Sequence, residues 1–446
     1  MPPIAGSWPL TLRRFCRGLL LACAATSTLL AGAGGEALAA QSAAGRPDPS
    51  EAITAETIRD RLYVLASDGL RGRDTPSPGL DAAAAYLVSE HRRAGLLPAG
   101  EGGTFYQRWP FRLVRPELDA ARLLLDGPAG SVAVQVGRDA FLRGGMSGDL
   151  DAELVFLGIA DGWPPTPGSL EGRVAVVSTP GEWGGSVFQL SNRQALFARQ
   201  SGAVAVIHVL DPQFPPTGFE QLTPQFGAAS WRMGEEEPFP QVFLSAEVAT
   251  RGIPELERWL DRGAQDDPVQ RPLGARLRGR LPLEILQASS PANVVALLPG
   301  SDPELREEYV VLSAHYDHVG VGLTVDGDSI YNGADDNGSG TAALLEVARA
   351  LAAGGQAPRR SIVFLHVSGE EKGLLGSQWF VDHPTIDLDR TVANLNADMV
   401  GGDAHRDSVI VIGKTYSTLG PLVDEINARM PELNLTTSDD LWPEQR

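Results

Sequence analysis

Lysine is almost missing from this sequence. Lys372 and Lys414 are the only two, and every other basic residue is arginine. No basic block occurs in the body of the chain, whose formal net charge is −19. A surface for polyanions needs clustered cations to release counterions, so nucleic acid is excluded as a partner. Cysteine is as scarce. Cys16 and Cys23 both fall in an N-terminal segment that reads as a cleaved signal, so the mature protein has no disulfide, no thiol nucleophile and no cysteine zinc site. Long apolar runs are absent too. Leu19 to Leu30 is too short for a membrane span, and no internal repeat is present.

The signal reading rests on Arg13, Arg14 and Arg17 ahead of that apolar run, and on the small residues Ala37 to Ala39 as a cleavage site. It implies a secreted or periplasmic protein without stable membrane insertion after cleavage; an uncleaved anchor is the alternative. The pair Arg13–Arg14 hints at twin-arginine export, although its flanks fit that route poorly. Cys23 mimics a lipoprotein site, but the apolar run before it is very short. Nothing in the pattern bears on oligomeric state.

What is present is material for a large core. With 446 residues, 43% of them hydrophobic, the chain holds more than one domain. After the signal (1–39) and a polar linker (40–50), helical patterns over Thr54–Ala66 and Asp81–Ala94 open a first part, 51–147. From 148 to 260 short β-type runs such as "AELVFLGIA", "GRVAVVSTPG", "GAVAVIHV" and "PQVFLSAEVA" alternate with Gly/Pro-rich loops, which predicts a β-rich insertion. In the last part, 261–446, buried-type strands at Glu308–Ala314, Ser361–Val367 and Thr391–Ala397, with a helix at Thr341–Ala353, predict an α/β fold with a mixed, mostly parallel sheet covered by helices.

The stretch "YNGADDNGSGTAALLEVARAL" sets Asp335 and Asp336 side by side where that helix begins. One acidic residue suffices as a cap for free backbone N–H groups. Two adjacent ones repel each other, and a bound cation is the second explanation. The strand ends favour the cation. His315 and Asp317 follow the first strand, Glu370 and Glu371 the second, and Asp398 the third; ligands of such sheets sit beyond those ends. Mixed imidazole and carboxylate ligation suits zinc. Adjacent glutamates allow one to bind metal while the other accepts a proton, as metal-assisted hydrolysis requires.

The motifs "SAHYDHVG", "GADDNGSGTAALLEVARAL", "VSGEEKGLLGS" and "NADMVG" resemble, in order, those of the M28 family of zinc peptidases. "LASDGLRGRDTPSPGLDAAAAYLVSEHRRAGLLPAG" is similar to the family's N-terminal lead, and the β-rich middle to the protease-associated (PA) domain that many members insert. The resemblance implies a phosphorylase/hydrolase-like catalytic fold with two zinc ions. His315 and Asp398 would hold one zinc and Glu371 the other, with Asp335 bridging them. Glu370 would be the general base, and Asp317 would accept a hydrogen bond from the His315 imidazole and fix its tautomer. A cis peptide is expected after the bridging aspartate, with Asp336 shaping the backbone and flanking the substrate. The family completes its second zinc with a histidine in an "SDH"-like motif. This chain stops at "DDLWPEQR" and reads as C-terminally truncated, with His405 as the in-chain substitute to consider. His318 matches no ligand position, His366 and His208 read as packed or inserted-domain residues, and His91 and His383 as surface ones.

The implied activity is that of a secreted zinc aminopeptidase acting on peptide substrates through a metal-bound water and the Glu370 base. A carboxypeptidase or dipeptidase of the same family needs cations for a substrate carboxylate. A related glutaminyl cyclase generally lacks the insert and the second metal, and a non-catalytic relative typically loses metal ligands, which this chain keeps.

Overall fold

The computed structural model describes residues 48–162, 164–181, 184–260, 270–354, 357–401, 408–431 and 435–438. They form two compact units, one from the chain up to Trp109 and from Ser290 onward, the other from Pro110–Ser289. The inserted unit therefore extends beyond the expected 148–260 on both sides. Strand pairing is the cause. Arg122–Gly127 pairs with Arg271–Arg280, and Phe111–Pro116 with Leu283–Ser289. In "RPLGARLRGR" only Leu273, Ala275 and Leu277 face inward, so arginines on the other face mask a period-2 strand.

Within the inserted unit an eight-stranded sheet has a parallel centre, Asp149–Phe156, Val174–Thr179, Ala205–Leu210 and Gln241–Leu244. Helices Gly185–Gln200 and Pro216–Phe226 lie between these strands in the chain, as parallel crossovers require. The unit is thus mixed α/β. "PQVFLSAEVA" itself splits into a strand and the helix Ala246–Gly252, whose first turn is capped by Ser245 Oγ accepting from Val248 N at 3.2 Å.

The main sheet of the outer unit has strands β1 (Leu97–Pro98), β2 (Tyr106–Arg108), β3 (Ala292–Leu298), β4 (Tyr309–His315), β5 (Ser361–Val367) and β6 (Thr391–Asn396), and the unit's α-helices are α1 (Ala55–Leu65), α2 (Pro78–Arg93), α3 (Gly340–Ala353), α4 (Leu375–Asp382) and α5 (Leu419–Arg429). The sheet order is β1-β3-β5-β4-β6, with β2 also on β3. Only β5–β4 and β4–β6 are parallel; β3 runs antiparallel to β1, β2 and β5. The sheet is mixed, as expected, but parallel pairs are not the majority, because β3 returns from the insertion beside β2, Ala292 opposite Arg108, with Trp109 N donating to Pro291 O at 3.0 Å.

Burial follows the strand period. Val310, Leu312 and Ala314 join α1, α2 and α3 in one core, while Val311, Val363 and Leu365 pack with Phe380 of α4 on the other face. α3 is buried almost throughout, including Glu346, whose carboxylate is paired with Arg61 and Arg349 at 3.1 and 2.7 Å. A lone carboxylate there would be too costly to bury.

His91, expected at the surface, is fully buried on α2, its Nε2 2.9 Å from Nε2 of the equally buried His366 on β5. The i, i+4 face Ala84, Leu87, Val88, His91 turns inward. Burial, then the charge of Arg61, lowers the His91 imidazole to about 3, and burial also holds His366 well below 6.5. Unfolded imidazoles bind protons below pH 6.5 while these stay neutral, so stability from this pair is present above 6.5 and lost as pH falls towards 3. We expect the urea midpoint to drop less between pH 7 and pH 5 in the double variant His91→Leu/His366→Leu than in the wild type. Equal drops would assign the acid sensitivity to other groups.

Candidate metal centre

The acidic side chains meet because their strands end at one level. β4 lies between β5 and β6, with His315 opposite Val367 and Ser313 opposite Asn396. Tyr316 N donates to Val367 O at 3.0 Å and Ala397 N to Ser313 O at 2.8 Å, so the three chains leave the sheet together. His315 ends β4, Glu370 and Glu371 follow β5, and Asp398 follows β6. α3 is docked beneath them by Thr341 Oγ1 donating to His315 O at 2.8 Å.

The turn into α3 separates the paired aspartates. Gly333 is left-handed at φ 61; a Cβ there would overlap the Asp336 carbonyl oxygen and stand 2.6 Å from His318 Cγ, so only glycine fits. Asp336 and Asn337 are non-helical, with φ/ψ of −96/105 and −117/46. The buried Asn337 carboxamide accepts from Gly340 N (2.9 Å) and Met399 N (3.3 Å) and donates to Ala397 O (2.9 Å), tying the helix start to the Asp398 loop. Asp335 consequently faces backbone, its Oδ1 accepting from Gly401 N at 2.9 Å. Asp336 faces the imidazoles, with Oδ1 3.3 Å from His315 Nε2 and Oδ2 4.0 Å from His318 Nδ1. The shared position expected of Asp335 is therefore taken by Asp336. The cis peptide is present one residue later than expected, between Asp336 and Asn337.

Two sets of ligand atoms result, His315/Asp336/Asp398 and His318/Asp336/Glu371, each within 4.8 Å of one another. His315 Nε2 stands 3.3 Å from Asp336 Oδ1 and 3.4 Å from Asp398 Oδ1. Zinc bonds near 2.0–2.1 Å place neighbouring tetrahedral ligands roughly 3.3 Å apart, so both separations from the His315 imidazole fit zinc. In the second set His318 Nδ1 is 2.9 Å from Glu371 Oε1, a hydrogen-bond separation that must widen to admit a metal. His318 is the residue that sequence reasoning passed over. Its signal was spacing, since "HYDH" returns a second imidazole to the same strand end. His405 lies outside the described residues.

Asp317 is buried and close, but not as expected. Its carboxylate is 3.7 Å from His315 Nδ1, too far for a hydrogen bond, whereas its main-chain oxygen is 3.3 Å away. That contact still directs Nδ1 inward and leaves Nε2 for the metal. The carboxylate instead accepts from Thr75 Oγ1 (3.0 Å) and Glu370 N (3.2 Å), holding Glu370 in place. Burial works against a charge on His315, but the Asp317 and Asp398 carboxylates carry its imidazole up to about 10. A ligand imidazole must shed that proton, so metal uptake weakens at low pH. Glu370 belongs to neither set. Its Oε2 is 4.0 Å from His315 Nε2, and burial raises its carboxyl above the ordinary glutamate range, helped by Glu371, Asp317 and Asp398.

The model for peptidase family M28 matches residues 293–439. Aminopeptidase YwaD of Bacillus subtilis is 41% identical over 95 residues, covering 21% of this chain and 18% of that protein. Leupeptin-inactivating enzyme 1 of Streptomyces exfoliatus is 34% identical over 110 residues, covering 24% of this chain and 22% of the other. The chain thus spans about a fifth of the length of these curated relatives. Among solved structures, a zinc aminopeptidase from Bacillus subtilis overlaps 88% of this chain and 87% of its own, at 20% identity and a TM-score of 0.35. An aminopeptidase from Aneurinibacillus sp. strain AM-1 overlaps 82% and 75%, at 18% identity and a TM-score of 0.36. Residues 293–439, which hold every residue of both ligand sets, are thus similar in sequence to peptidase family M28.

Proposed function

We propose that the protein is an exported, zinc-dependent aminopeptidase with two metal positions, one held by His315, Asp336 and Asp398, the other by His318, Asp336 and Glu371. The observation that carries this reading is the single Asp336 carboxylate facing both imidazoles while Glu370 stands beside them unassigned. The aminopeptidase names among the relatives agree with it. Zinc bound there supplies Lewis-acid polarisation of the scissile carbonyl and acidifies water. Glu370 accepts the proton released as water attacks and returns it to the departing amine. Asp317 keeps both Glu370 and His315 in register.

The electrostatics favour a free amino terminus over a carboxylate. Of the cations nearby, Arg73 is spent on main-chain carbonyls and Lys372 pairs with Asp74 at 2.7 Å. The inserted unit is read as PA-like, and the export signal falls outside the described residues. No helix among the described residues is long and apolar enough to cross a membrane.

The test is hydrolysis of a peptide with a free amino terminus, its N-acetylated twin and its C-terminally amidated twin. We expect the acetylated peptide alone to resist, and chelation to abolish turnover until zinc is restored. Resistance of the amidated peptide instead would make the enzyme a carboxypeptidase, and turnover surviving chelation would remove the metal from the mechanism.

A further inference from the structure

The segment Arg71 to Thr75 lies outside the family match and supplies no ligand atom, yet it is bound into the site on three sides. Arg71, Gly72 and Arg73 are successively left-handed, at φ 46, 68 and 51. Such backbone is costly for arginine and persists where the surroundings enforce it. They do so here. His318 N donates to Arg73 O at 3.2 Å and Gly320 N to Gly72 O at 3.1 Å. A Cβ on Gly72 would overlap the carbonyl oxygen of Tyr331 and meet that of Gly320 at 2.5 Å.

This backbone drives the Arg73 side chain inward, where it is fully buried. Nε donates to Tyr316 O at 2.7 Å, Nη1 to Asn332 O at 2.8 Å and to Leu65 O, and Nη2 to Gly333 O at 2.9 Å. Tyr316 sits between His315 and Asp317, while Asn332 and Gly333 lead directly into Asp335–Asp336. One planar fork thus holds the two stretches that must face each other for Asp336 to be shared. Thr75 adds the third side, its Oγ1 donating to Asp317 Oδ2 and accepting from Gly369 N at 3.1 Å beside Glu370.

We propose that Arg73 is a positioning residue of the metal centre, its guanidinium setting the separation between the His315–His318 strand end and the Asn332–Asp336 turn. The inference rests on the two-metal reading above. The guanidinium's rigid fork places several donors in fixed directions, whereas a lysine ammonium is a point charge on a flexible stem and cannot fix both stretches together. Burial lowers Arg73 to about 10, so it remains a cation at neutral pH behind Asp317, Asp336 and Glu371, whose charges oppose the lowering.

The experiment compares wild type, Arg73→Lys and Gly72→Ala in the full chain. Measured are zinc per chain, zinc affinity against a chromophoric chelator, the visible absorption of the cobalt-substituted protein, and the kcat and KM of hydrolysis. Arg73→Lys preserves the charge and loses the fork; Gly72→Ala preserves both and displaces the loop, so it remains informative if the lysine variant does not fold. We expect each folded variant to bind zinc at least tenfold more weakly, to shift the cobalt bands, and to lose kcat while KM stays within about threefold. A folded variant with wild-type affinity and wild-type cobalt bands would overturn the positioning role while leaving the two-metal reading intact. A wild type that takes up no second equivalent of zinc would overturn both.

Discussion

We expect Glu370→Gln to keep its full zinc content and to lose turnover by at least about two orders of magnitude. The amide has nearly the same shape and still offers an oxygen, but it cannot take a proton; removing a positioned base typically costs about 10²- to 10⁴-fold. Zinc should stay because Glu370 belongs to neither ligand set. Its main-chain N–H is held by Asp317 Oδ1 at 3.2 Å, a bond the substitution leaves untouched. KM should change little, since the lost interaction belongs to the transition state. The measurement pairs metal analysis with kcat on the same preparation. Turnover within tenfold of wild type would move the proton transfer elsewhere, and loss of zinc would make Glu370 a ligand.

The second large effect separates the adjacent aspartates. Asp336→Asn removes the carboxylate that faces both imidazoles, and zinc affinity should fall at both positions by roughly two orders of magnitude or more, since even residues that only orient ligands are worth about 10- to 100-fold. Asp335→Asn leaves an amide oxygen to accept from Gly401 N and should bind zinc within a few-fold of wild type. Titration of each metal-free protein with zinc decides the matter. The reverse outcome, with Asp335→Asn losing both metals, would restore the bridging role to Asp335.

That pair also marks how far the sequence could be read. His315, Glu370 and Glu371 were legible because each lies at or after the end of a short buried run; Asp398 follows β6, which read as a buried strand but is half-buried to exposed along its length. Which of Asp335 and Asp336 turns towards the imidazoles is decided by the torsions of Asp336 and Asn337 and by the Asn337 carboxamide, none of which leaves a periodic trace. His318 was visible as a residue but not as a neighbour of Glu371, because that contact joins the ends of two strands. Arg73 stood among ordinary loop residues, and its four carbonyl partners are scattered through the chain. The edges of the insertion were misjudged for a similar reason. Its outer strands pair with partners far away in sequence, and arginines on their exposed face conceal the alternation.

The way the insertion leaves the sheet has an evolutionary side. Because Arg108 and Ala292 stand opposite each other on neighbouring antiparallel strands, Pro110–Ser289 occupies the place of a hairpin turn. A turn is a position where length is cheap, since each doubling of a closed loop adds only about 0.6 kcal/mol of chain entropy. Genetic material can enter or leave at such a point without any strand of the sheet being rethreaded. The outer unit and the inserted unit can therefore change separately, and removal of the insert would need only a short bridge from Arg108 to Ala292 to keep the remaining sheet closed.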